Sequence, residues 1–88
     1  METWLVTGGA GFIGSCFVRL ALAQRPAVRV VVFDKLTYAG RLENLADLPD
    51  ADRFELVRGD LARADDVRTV LEKHRPTRIV NLAAETHV

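Results

Sequence analysis

Thr7-Gly8-Gly9-Ala10-Gly11-Phe12-Ile13-Gly14 constrains this chain more than any other segment. It lies between a β-prone run, Trp4-Leu5-Val6-Thr7, and a stretch with helical spacing that starts at Phe12. Gly8, Gly11 and Gly14 have the spacing G-x-x-G-x-x-G. A tight strand-to-helix turn needs a residue that tolerates positive φ, the task expected of Gly8. A missing side chain at Gly11 lets the backbone approach a pyrophosphate, and Gly14 lets the helix pack close to the sheet. The N-terminus of the helix then offers unpaired N–H groups and a positive dipole end to phosphates. A glycine-rich turn that holds no ligand is the bland alternative. The register of strand, loop and helix argues against it. Gly9 and Gly14 also have P-loop spacing, but Ser15 stands where the phosphate-binding lysine should be.

The rest of the chain repeats the pattern. Residues 12–25 carry Ile13, Phe17, Leu20, Ala21 and Gln24 at helical spacing, whose apolar members predict one buried stripe, and Pro26 ends the helix. Residues 28–33 read V-R-V-V-V-F, which suits a parallel strand covered on both faces. A loop over 34–40 leads to a short second helix on Leu42, Leu45 and Ala46, closed by Pro49. A third strand is expected over 54–58 and a third helix over 64–74, with Val67, Val70 and Leu71 facing the core. Pro76 stops that helix, and a fourth strand is expected over 78–82. The order is β-α-β-α-β-α-β, an α/β chain of Rossmann type with a parallel sheet and right-handed crossovers. Eighty-eight residues fall short of the roughly 150 expected for a complete domain of this kind. The fourth strand also needs a neighbour that the sequence does not supply. The chain is therefore expected to be the N-terminal part of a dinucleotide-binding domain, with the remainder and any substrate domain absent.

Two acids close strands. Asp34 ends the second strand, twenty positions after Gly14. At that spacing a carboxylate reaches the adenosine ribose hydroxyls and repels a 2′-phosphate, which favours NAD over NADP. The adjacent Lys35 weakens that preference, and a solvated loop acid is the plain alternative. Asp60 ends the third strand, where it either accepts from an adenine amino group or caps the third helix. The two readings of Asp60 are balanced.

Composition narrows the function class. Twelve Lys and Arg balance twelve Asp and Glu, so the chain lacks the electrostatic footprint of a nucleic-acid binder. One cysteine excludes a disulfide framework within the chain and a cysteine metal cluster. No run approaches the roughly 18 apolar residues of a membrane span, and no basic flank marks a signal peptide. A cytoplasmic compartment is the default expectation. Cys16 is expected to pack rather than react, and Trp4 to be a partly buried strand residue. His74 suits the C-terminus of a helix. Glu85, Thr86 and His87 fall at the carboxyl edge of the sheet, where ligands bind in open α/β folds, but such a pair of His and Glu is a poor metal site.

These residues carry a likeness. The segment T-G-G-A-G-F-I-G at 7–14 resembles the cofactor loop of extended short-chain dehydrogenases. D-K-L-T-Y-A-G at 34–40, L-E-N-L at 42–45 and L-A-A-E-T-H-V at 82–88 resemble the dTDP-glucose 4,6-dehydratase family in particular. The resemblance runs in order along almost the whole chain. It implies NAD as cofactor, a nucleotide-sugar substrate, a homodimer, and dehydration of dTDP-glucose to the 4-keto-6-deoxy sugar. By the resemblance, Phe12 and Ile13 would lie against the pyrophosphate through their backbone. Asp34, Lys35, Leu36 and Thr37 would surround the adenosine ribose, and Asp60 and Leu61 would flank the adenine. Leu82, Ala83, Ala84, Glu85 and Thr86 would run beside the pyrophosphate and nicotinamide ribose, with Thr86 also near the sugar. Arg41 replaces an expected asparagine and Thr86 a usual serine, and neither changes the chemistry class.

The family's catalytic Tyr-x-x-x-Lys pair is missing: the single tyrosine is Tyr38, and position 42 is leucine. No catalytic residue is therefore assigned. Three alternatives stand beside this reading. Another NAD-dependent sugar-nucleotide epimerase or dehydratase, or a non-catalytic dinucleotide sensor, would use the same half-fold. A methyltransferase would show G-x-G-x-G, which Gly9-Ala10-Gly11 begins and Ile13 breaks.

Overall fold

The computed structural model describes residues 2–8, 10–36, 45 and 51–82. Strands β1 (Glu2–Thr7), β2 (Val28–Asp34), β3 (Phe54–Arg58) and β4 (Arg78–Asn81) form one sheet in the order β3-β2-β1-β4. All three pairings are parallel. Helix α1 (Phe12–Gln24) joins β1 to β2, and helix α2 (Ala64–His74) joins β3 to β4. The element limits match the sequence pattern to within two residues. Of the expected helix around Leu42, Leu45 and Ala46, only Leu45 lies among the described residues, and it is buried. A 3-10 turn at Ala51–Arg53 precedes β3.

Alternation along the strands sorts side chains onto two faces. Val6, Val28, Val30 and Val32 pack with Val18, Ala21 and Leu22 of α1. Leu5, Val31 and Phe33 pack with Val70 of α2, and Val67 and Leu71 lie against that cluster as the spacing predicts. The run at 28–33 is buried on both faces because each face has its own helix.

The phase of α1 departs from the expected stripe. Its buried residues are Gly14, Ser15, Val18, Ala21 and Leu22. Ile13 is 72% exposed and Leu20 54% exposed, and Cys16 is exposed rather than packed. The pattern reading gave weight to large side chains. The sheet receives Gly14, as expected of it, and with it the small Ser15, and the two allow a close approach. The Ser15 hydroxyl is satisfied within the helix, donating to the Phe12 carbonyl at 2.9 Å.

Arg53 joins three segments. Its guanidinium donates to the carbonyls of Leu22 (2.6 Å), Arg25 (2.9 Å) and Val28 (2.6 Å). The Leu22 carbonyl belongs to the last turn of α1, which has no following amide to satisfy it. One side chain at the entry to β3 thus closes the C-terminus of α1 and the turn into β2. At the same end of the sheet, Trp4 stacks on Phe17 at 6.3 Å, with the guanidinium carbons of Arg25 and Arg78 each 6.0 Å from its ring. The Trp4 indole N–H, together with Thr77 and Arg78, holds the Glu2 carboxyl below the usual carboxylate range. His74 ends α2 as expected. Its Nε2 is buried 3.4 Å from Glu55 Oε2 without a hydrogen bond, while Glu55 is bonded to Arg29 at 3.0 Å.

Candidate functional site

The carboxyl ends of the strands are tied into one rim. The Gly8 N–H donates to the Phe33 carbonyl (2.9 Å), the Gly59 N–H to Asp34 (3.0 Å) and the Leu82 N–H to Thr7 (2.8 Å). The Thr7 hydroxyl also donates to Asn81 Oδ1 at 2.6 Å, linking β1 to β4 beneath the glycine loop. At Gly59 an added Cβ would fall 2.6 Å from Phe33 Cζ and closer still to Cε1. A glycine there lets the turn after β3 close over the ring.

Gly8 takes φ 75°, the left-handed conformation that the sequence requires of it. Gly11 is different: it is the N-cap of α1 with φ −72° and ψ 176°, values open to any residue. Its backbone therefore gives no reason for glycine. As N-cap it makes no side-chain cap hydrogen bond, and the first turn of α1 holds no acid. The first-turn amides have no acceptor within the helix. Phe12 and Ile13 stand exposed beside them, and Gly14 is buried on the sheet side.

Asp34 is not a solvated loop acid. It is 5% exposed, and its carboxylate is held from two sides. Oδ2 accepts from the Ala10 N–H at 3.1 Å, and Oδ1 accepts from the Leu36 N–H at 2.8 Å. The first bond locks the glycine loop to the end of β2. The second forms a turn in which Leu36 takes φ 56°, a rare conformation for a branched side chain.

Asp60 does not cap α2. The N-cap position is Arg63, which makes no side-chain cap bond. Asp60 Oδ1 instead accepts from the Ala62 N–H at 2.9 Å, and its own N–H donates to Asp66 Oδ2 at 3.0 Å. Asp60 Oδ2 lies 3.8 Å from Lys35 Nζ, so the groups after β2 and β3 meet. Leu61 is exposed beside them, and Leu82 follows β4 on the same rim. Thr37, Ala83, Ala84, Glu85 and Thr86 lie outside the described residues, as does His87. Among the described residues, no group of three or more His, Cys, Asp or Glu is placed to hold a metal ion, and no helix is long and apolar enough to cross a membrane.

Sequence reading missed the Ala10–Asp34 bond, the Lys35–Asp60 pair, the Thr7–Asn81 bond and the reason for Gly59. A glycine directly after a strand was the available signal for the last. The other three join residues distant in sequence and left no local mark.

The family model described as GDP-mannose 4,6 dehydratase matches residues 5–88. The chain belongs to this family. It is 48% identical over all 88 residues to a dTDP-glucose 4,6-dehydratase of Xanthomonas campestris, of which it covers 24%. It thus spans about a quarter of the length of the curated relatives it matches. Among solved structures, it superposes on a dTDP-glucose 4,6-dehydratase of Bacillus anthracis in complex with NAD. The TM-score is 0.88 and the identity 37%, over 98% of this chain and 28% of that one. A Streptomyces venezuelae dTDP-glucose 4,6-dehydratase with NAD and TYD bound gives a TM-score of 0.84 and 46% identity, over 99% of this chain and 28% of that one. These likenesses span the whole Rossmann-type half-fold.

Proposed function

We propose that this chain is the cofactor-holding N-terminal part of an NAD-dependent sugar-nucleotide 4,6-dehydratase, a lyase acting on dTDP-glucose. The observation that carries the reading is Gly11. It has no backbone need for glycine, yet it stands at an uncapped helix N-terminus with no first-turn acid. A bare N-cap of that kind suits a pyrophosphate. The buried Asp34 carboxylate, fixed at the end of β2, fits the adenosine end of the same cofactor.

In this assignment Gly8, Gly11 and Gly14 shape the loop, and the backbone at Phe12 and Ile13 meets the pyrophosphate. Asp34, Lys35, Leu36 and Thr37 hold the adenosine ribose, and Asp60 with Leu61 flanks the adenine. Leu82, Ala83, Ala84, Glu85 and Thr86 line the side toward the nicotinamide ribose, with Thr86 also meeting the sugar. When bound, NAD supplies a hydride acceptor that is restored within each turnover. This chain's residues bind and orient it. The Tyr-x-x-x-Lys pair that moves protons in the family is absent from these 88 residues, and we place it in the part of the relatives' length that this chain does not span. A cytoplasmic homodimer completes the proposal.

Cofactor titration tests it. The complete enzyme is expected to bind NAD more tightly than NADP, and Asp34→Ala is expected to narrow the gap. Because Asp34 also holds the Ala10 N–H, the variant weakens both affinities, and the ratio is the informative quantity. Equal affinities in the wild type would discard the role given to Asp34.

A further inference from the structure

We propose that Asp60 is a determinant of cofactor choice that acts through Lys35, by engaging the ammonium that would otherwise meet a 2′-phosphate. The inference rests on the NAD reading above and concerns the same site.

Lys35 directly follows the acid that is meant to repel a 2′-phosphate. A lysine one residue away would offset that repulsion. The geometry resolves the conflict. Lys35 Nζ lies 3.8 Å from Asp60 Oδ2, across the mouth between β2 and β3. Asp60 is the fixed partner: its Oδ1 accepts from the Ala62 N–H, its N–H donates to Asp66 Oδ2, and its carbonyl accepts from the Arg63 N–H at 2.9 Å. Asp34 is fixed too, by the Ala10 and Leu36 amides. An anchored Asp60 carboxylate therefore holds an ammonium on a flexible stem, and Asp34, Lys35 and Asp60 together carry a net charge of −1. Removing the charge of Asp60 makes that sum zero and leaves Lys35 without its counter-ion. The nearby Arg63 is itself paired, with Asp66 at 3.8 Å.

Both partners are partly solvated, with side chains 58% and 30% exposed. Water screens such a pair, so the effect is moderate. A change of about three- to tenfold in the ratio of affinities is expected for one charge acting on a phosphate at this range.

The test is calorimetric titration of NAD and NADP into the complete enzyme as wild type, Asp60→Asn, Lys35→Ala and the double variant. Circular dichroism monitors folding. Asparagine keeps an oxygen for the Ala62 N–H. We expect Asp60→Asn to raise NADP affinity relative to NAD by about three- to tenfold, the gain to shrink in high salt, and Lys35→Ala to abolish it in the double variant. An unchanged ratio in Asp60→Asn would overturn the proposal. So would a gain that survives in the double variant, which would assign the effect to another cation such as Arg58, the register partner of Asp34. A wild-type enzyme that binds neither cofactor would instead defeat the NAD reading itself.

Discussion

Replacing Arg53 with alanine should destabilise the fold more than any other surface-facing substitution at the amino edge of the sheet. The guanidinium makes three charge-assisted hydrogen bonds to carbonyls, two of them part-buried and one exposed. Bonds to a charged group contribute about 1.5–3 kcal/mol each when buried. The exposed bond to Arg25 is discounted, because water replaces it. The part-buried Leu22 and Val28 carbonyls regain some hydration, and the freed side chain no longer pays about 2 kcal/mol of rotamer entropy. The balance is a loss of about 2–4 kcal/mol, a large share of what a chain of this size holds. Lysine at 53 should recover little, because one ammonium cannot reproduce the fork that reaches three carbonyls. The assay is urea unfolding of the complete enzyme followed by circular dichroism. Wild type and variants are compared at matched concentrations. A loss below about 0.5 kcal/mol, or a lysine variant equal to wild type, would refute the view that Arg53 closes the end of α1.

Gly59→Ala should cost about 1–3 kcal/mol, because the new methyl group meets the Phe33 ring, and the same unfolding assay reads it. Paired with Phe33→Leu, which clears space, the penalty at 59 should shrink. The 88-residue chain by itself should self-associate. β4 pairs with β1 alone among the described residues, and Ile79 is 59% exposed beside that edge. Light scattering after gel filtration should show mass rising with concentration, and Ile79→Lys should reduce the rise. A concentration-independent monomer would contradict that expectation.

Most of the fold was legible because its strongest signals are local. The valine run at 28–33 marks a strand buried on both faces, and Pro76 and the Val67, Val70, Leu71 spacing mark α2. The phase of α1 was legible only in part. Gly14, Phe17 and Ala21 face the core as expected, but period alone does not say that Ser15, Val18 and Leu22 join them while Ile13 and Leu20 face outward. Cys16 is exposed as well. Asp34 does end β2, as the pattern expects, but its bond to Ala10 spans 24 residues and depends on the turn of the loop. That Asp60 does not cap α2 shows only in the position of Arg63, which takes the N-cap place. The charge of Lys35 could be weighed only after its partner was known.

Gly11→Val tests the central claim most directly. The φ and ψ of Gly11 are open to valine, so the fold should persist, with an α/β circular dichroism spectrum like that of wild type. A branched side chain at the N-cap would occupy the space where a pyrophosphate approaches the backbone. Calorimetric titration of NAD into the complete enzyme should therefore show binding by the wild type and none by the folded variant. A folded Gly11→Val protein that binds NAD as the wild type does would mean that the loop is only a turn, and the account of this chain as a cofactor cradle would be wrong.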